Sequence, residues 1–145
     1  MEEFLKATGK LDIILKDSDG NIKQELHVPN LVVTVGKNFI ASRMVGTSSP
    51  VMSHMAIGTN ATAPVSANTT LGTEVARVAL SSATATANTV SYSATFPAGT
   101  GTGAITEAGI FNAASSGTLL CRTTFAVVNK SASDALTINW NVTIN

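Results

Sequence analysis

The segment ALTINWNVTIN alternates without interruption, with Leu136, Ile138, Trp140, Val142 and Ile144 on one face and Thr137, Asn139, Asn141, Thr143 and Asn145 on the other. A period of two marks a half-buried strand, because successive side chains leave opposite faces of a sheet. The run reaches the last residue, so this end is expected to be pinned in a sheet. VSYSATF repeats the pattern, setting Val90, Tyr92, Ala94 and Phe96 against Ser91, Ser93 and Thr95. Pro97 and the glycines beyond it stop that strand. Near the other end, KLDIILKDSDGNIKQELHV reads as two strands around an Asp-Gly turn, with Leu11, Ile13 and Leu15 on one face. The turn is not a calcium loop. Counting from Asp17, Gly20 stands fourth where an EF-hand needs its glycine sixth, and Val28 stands where the bidentate Glu belongs.

Between these strands the pattern changes. Leu31 to Val35 is an apolar, β-branched run that Gly36 breaks. Phe39, Ile40 and Met44 then fall at helical spacing and predict one short helix near residues 37–45, with these three side chains facing the core. Met55–Ile57 forms a short strand. The Thr-, Asn- and Ala-rich stretch from Gly58 to Thr70 has almost nothing to bury and is expected on the surface or against a neighbour. AITEAGIFNAASSGTLLCRTTF, Ala104 to Phe125, reads as a hairpin turning at NAASSG. About eight strands, one helix and no βαβ rhythm predict an all-β fold, a single-domain antiparallel β-sandwich or jelly roll over residues 1–145. Residues 1–10 are a candidate interaction arm.

Charge adds a constraint. Nine basic and nine acidic residues leave no net charge, which removes the basic stripe expected of a nucleic-acid partner and disfavours a membrane surface. No run approaches the roughly 18 apolar residues of a spanning helix. MEEFLKATGK lacks the basic and apolar regions of a secretory signal, so synthesis in a cytoplasm is expected. Only 12% of residues are charged, against about 25% in an average soluble chain. Beyond residue 45 the charges are Glu74, Arg77, Glu107, Arg122, Lys130 and Asp134 alone. Either the exterior is covered by hydroxyls, or much of it meets other subunits, since interface cores are depleted of charge.

The search for chemistry is mostly negative. His27 and His54 have no partner at metal spacing, and the single Cys121 sits in a strand interior, where a free Cys acts as a small hydrophobe. There is no nucleophile elbow or P-loop, and the glycine loop GTGTGA is followed by neither a Lys nor a helix. No catalytic residue, metal, cofactor or small-molecule substrate is predicted. Glu107 is the one acid in apolar company that could carry acid–base chemistry, but hydrolysis by paired carboxylates needs a second acid across a cleft. Only Glu74 has a comparable context, and each of the two has a base nearby, Arg77 and Arg122. The four are structural ion-pair candidates, their pairing left open.

Three pieces together, NLVVTVGKNFIASRM (30–44), MAIGTNATAPVSANTTLGTEVAR (55–77) and the stretch from Phe96 to Ile144, resemble a group of structural virion proteins of tailed bacteriophages. The resemblance carries I-x-E-A-G-[IL]-F, R-x-x-F…N-K and L-x-I-x-W over about 115 residues, and it transfers no catalytic residue. Such proteins are described as capsid decoration (cement) proteins or as small tail- or fibre-associated proteins. The resemblance implies a virion protein made in a bacterial host. Decoration is the leading expectation: a homotrimer on the major capsid protein lattice, stabilising the head. A tail, baseplate or fibre-attachment protein is the alternative. In either setting Glu2, Glu3, Phe4, Leu5 and Lys6 would bind a partner, with Phe4 and Leu5 as anchors; otherwise they form a frayed terminus.

Overall fold

The computed structural model describes residues 4–145. Strand β1 (Ala7–Lys16) points Leu11, Ile13 and Leu15 inward, each at most 2% exposed. It pairs antiparallel with β2 (Ile22–Val32), setting Ile13 opposite Leu26 and Leu11 opposite Val28. The turn between them is closed by Asp17, whose Oδ1 accepts the backbone N–H groups of Asp19 and Asn21 at 2.9 Å. An Asp side chain that bonds its own backbone two residues on is a turn former, the role expected for this segment.

Beyond β1 lies β9 (Ala135–Ile144), and beyond it β6 (Thr89–Phe96) and β5 (Ser82–Thr86). The registers stack apolar rows. Leu11 faces Trp140 and Tyr92 follows, Ile13 faces Ile138 and then Ala94, Leu15 faces Leu136 and then Phe96. On the other side of β2 come β8 (Leu119–Lys130), β7 (Gly103–Phe111), β3 (His54–Gly58) and β4 (Glu74–Ala79). Only Leu31 and Val32, at the end of β2, pair with β8, opposite Arg122 and Cys121. β2 is therefore a shared strand, given to β1 along most of its length and to β8 at its tip.

All nine strands form one curled sheet, and its two halves close over a common core. Leu11, Phe96 and Trp140 from one half pack with Met55, Ile57, Ile105, Ile110 and Val128 from the other. The all-β, antiparallel expectation holds, with two refinements. The layers are continuous through β2, and β5, whose five residues are all exposed, adds a ninth strand with no apolar signal.

The helix α1 runs from Thr34 to Arg43, three residues earlier than the spacing predicts. Phe39 and Ile40 pack against the core as expected, but Met44 is 86% exposed. Met44 follows the last helical residue, so helical periodicity no longer sets its direction. Gly36 is not a breaker; it is the buried residue of the helix and lies on the backbone of Leu120, where a Cβ would overlap the Leu120 carbonyl. Gly36→Ala should therefore lower stability by up to about 2 kcal/mol in urea denaturation, because overpacking against a backbone carbonyl costs up to about 3 kcal/mol and outweighs the ~1 kcal/mol that Ala gains in helix propensity. An unchanged or raised midpoint would show that the helix can lift away from β8.

Candidate functional site

Glu107 lies in β7 opposite Gly58 of β3 and Thr124 of β8, and it is 0% exposed. A buried carboxylate persists only when paired and hydrogen-bonded. Arg122, 2% exposed on the neighbouring β8, donates both Nε (3.0 Å) and Nη2 (2.9 Å) to Glu107 Oε2. The remaining capacity is filled by backbone. Gly72 N–H donates to Oε2 at 2.8 Å, and Thr73 N–H (2.6 Å) and Asn60 N–H (3.2 Å) donate to Oε1. Arg122 Nη1 donates to Asn68 Oδ1 at 3.2 Å, and Asn68 Oδ1 also accepts Val65 N–H. One ion pair thus gathers the two ends and the middle of the segment between β3 and β4.

The local sequence makes room for this. A Cβ at Gly58 would overlap both the Thr73 carbonyl and Glu107 Oε1, so only glycine lets the carboxylate lie across β3. A cavity of about 350 Å³ borders the assembly, lined by Asn60, Thr62, Val65, Asn68, Leu71 and Arg122. Five N–H donors converge on the two oxygens of Glu107, so the carboxylate is fixed in place by β8 and by the segment between β3 and β4.

Glu74 and Arg77 form a second unit on β4. Arg77 donates Nε to Glu74 Oε2 (2.9 Å) and Nη2 to Oε1 (2.7 Å), a two-point contact. Its Nη1 donates to the carbonyls of Ala113 and Ser116, and its guanidinium lies 3.7 Å from the centre of the Phe111 ring. Arg77 so clamps the β7–β8 turn, NAASSG, against the opposite edge of the same half-sheet. The structure pairs Glu107 with Arg122 and Glu74 with Arg77, and among the described residues no second carboxylate bonds with either pair.

A third unit was not visible in the pattern. Asp134, in the turn before β9, accepts Lys23 Nζ and Ser131 N–H, both at 2.8 Å. The pair sits at the border with solvent, Asp134 covered and Lys23 with 41% of its side chain exposed. The Lys23 hydrogen bond, then the Ser131 amide, hold the Asp134 carboxyl down at about 2, below its ordinary 3.8. Nearby, Lys130 donates to the Pro97 carbonyl at 3.0 Å, and burial lowers its pKa. The only sequence signal was the polar turn NKSASD; its partner Lys23 is 111 residues away.

The other singled-out residues make local contacts. His27 bonds Asp12 across the β1–β2 register at 2.6 Å, and that contact raises its pKa. His54 bonds Ser53, and burial pushes the Cys121 thiol up, away from reactivity. Among the described residues no cluster of His, Cys, Asp or Glu could hold a metal ion, and no helix is long and apolar enough to cross a membrane. Glu2 and Glu3 lie outside the described residues. Phe4 and Leu5 are 72% and 78% exposed, and Leu5 and Lys6 line a groove with Ile40, Met44 and Ile144. Within the candidate arm, residues 1–10, Lys6 exchanges backbone hydrogen bonds with Asn145, and β1 begins at Ala7.

A family model described as phage tail-collar fibre protein, N-terminal, matches residues 27–144. The chain belongs to this family. The match runs from β2 to β9 and so contains the whole Glu107–Arg122 assembly, while β1 precedes it. Comparison with curated proteins and with solved structures returned no match. The protein is a phage structural protein, associated with the virion. The expectation of capsid decoration is corrected by this match, which points to the tail fibre and so to the alternative reading. The sequence pattern could not make that distinction, because a lattice protein and a fibre module both call for a small, charge-poor β domain.

Two outcomes follow from the buried charges. Glu107→Gln keeps the shape but leaves Arg122 without its counter-charge, and a broken buried pair costs about 3–5 kcal/mol. The loss should appear in urea denaturation together with faster proteolysis within residues 59–73; an unchanged midpoint would make the pair dispensable. For Asp134 the folded pKa is depressed, so its contribution is present above pH 3.8 and is lost as the pH falls toward 2. Thermal melts should show that acid loss in the native protein and a shallower pH dependence across the same window in Asp134→Asn.

Proposed function

We propose that this protein is an architectural module of a tail fibre, acting where the fibre joins the tail, with other virion proteins as its partners. The family match over residues 27–144 carries the reading. The geometry supports it in kind. From residue 46 onward every charged side chain is engaged within the fold: Glu74 with Arg77, Glu107 with Arg122, Lys130 with the Pro97 carbonyl, Asp134 with Lys23. Apart from the partly exposed Glu74, what this part of the chain turns outward is hydroxyl, amide and methyl, a surface suited to close protein contact and without attraction for phosphate. In this reading the protein is not an enzyme and takes no cofactor or small-molecule substrate. Its buried carboxylate is spent on holding a loop.

Quantitative mass spectrometry of purified virions, with immunogold labelling, tests the location. The expected result is a copy number far below that of the major capsid protein and label at the tail. Label spread over the head in fixed ratio to capsid subunits would overturn the reading.

A further inference from the structure

Strand β5, Ser82–Thr86, ends the sheet: it pairs with β6 alone, and all five of its residues are exposed. An edge strand presents a row of unpaired N–H and C=O groups, and proteins normally guard such edges with Lys, Pro, a bulge, an inward charge or a covering loop. Among the described residues, β5 has none of these. Its register with β6 is regular throughout, and Ser-Ala-Thr-Ala-Thr carries no charge and no proline. The other edge, β4, carries the Glu74–Arg77 pair.

The outward face beside β5 is already a ladder of cross-strand hydrogen bonds. Thr89 bonds Thr143 (3.0 Å), Ser91 bonds Asn141 (2.7 Å), Ser93 bonds Asn139 (2.8 Å) and Thr95 bonds Thr137 (2.9 Å). Ser82, Thr84 and Thr86 stand opposite Ser93, Ser91 and Thr89, so they extend this face by one more row of hydroxyls. Among the described residues that row has no partner strand on its far side. Ala83 and Ala85 form the other face, opposite Tyr92 and Val90.

We propose that β5 pairs antiparallel with β5 of a second copy about a two-fold axis through Thr84, joining two sheets edge to edge. The strand is complementary to itself. Reversed on itself about Thr84, it sets Thr84 against Thr84, Ser82 against Thr86 and Ala83 against Ala85, hydroxyl on hydroxyl and methyl on methyl. Cross-strand Thr–Thr and Thr–Ser pairs are favourable, and an isologous contact requires such self-matching. With no charge in the strand and no net charge on the chain, nothing opposes the approach. The homotrimer expected on a capsid lattice came with the decoration reading, and this two-fold contact takes its place as the proposed self-association. It stands apart from the tail assignment, since it concerns the isolated protein.

Thr84 on the axis gives a direct test. Thr84→Cys should form a disulfide-linked dimer under mild oxidation, because facing Cβ atoms on an axis come within reach of a disulfide. Thr62→Cys, on an exposed loop away from β5, should not, and the native Cys121 is buried and silent. Thr84→Lys and Thr84→Glu should each sediment as monomers with unchanged melting temperatures, and an equimolar mixture should regain the dimer. Monomeric native protein together with Thr84→Cys cross-linking no faster than Thr62→Cys would overturn the proposal. So would a Thr84→Lys variant that associates as the native protein does.

Discussion

A carboxylate removed from water must find its counter-charge and its hydrogen bonds within the fold, and the segment between β3 and β4 is ordered by that demand. Residues 59–73 have little to bury: of their side chains only Leu71 reaches the core. Hydrophobic burial cannot fix such a segment, and backbone ordering costs on the order of 1–2 kcal/mol per residue. The Glu107 oxygens supply what burial does not, three amide contacts at the two ends of the segment, with Arg122 and Asn68 holding its middle. Since Glu107 and Arg122 sit on adjacent strands, the pair also ties the register of β7 and β8 to the position of β3. Loop, register and ion pair stand together.

The same economy explains the scarcity of charge. The low charge content admitted a hydroxyl-covered exterior or a surface buried by other subunits. In the fold the body's charges each have a partner: Glu107–Arg122 joins neighbouring strands, Asp134–Lys23 joins segments far apart in sequence, and Glu74 holds Arg77, which reaches the β7–β8 turn. An uncharged stretch of exterior offers no charge repulsion to a neighbouring protein surface, which is the property that the proposed fibre role and the proposed β5 contact both use.

The curl of the sheet follows from β2. Its length is divided between β1 and β8, so the direction of pairing changes near Asn30 and the sheet folds over. Two apolar faces that would otherwise meet water then meet each other, with Trp140 and Phe96 from one half against Ile57 and Ile110 from the other. α1 completes the cover from one side, seated on β8 through the missing side chain of Gly36.

Strand identity was readable from the chain wherever one face is buried, because burial writes a period of two into the residues: β1, β6 and β9 are legible by eye. The acids and bases that matter were also visible, as Glu74, Arg77, Glu107 and Arg122 stand out against an apolar background. Strand β5 did not stand out as an element of its own, since neither of its faces is buried and its alternation is only of Ser and Thr with Ala. Met44 misled, because the helical spacing continues one residue past the end of the helix. The donors to Glu107 were silent as well: an amide N–H belongs to every residue, so no side chain announces that Gly72, Thr73 and Asn60 will supply one. Local pattern determined the elements, their faces and the class of fold. Tertiary structure alone decided which charge meets which, how the sheet closes through β2 and which edge stays open, because those depend on contacts between residues that are far apart along the chain.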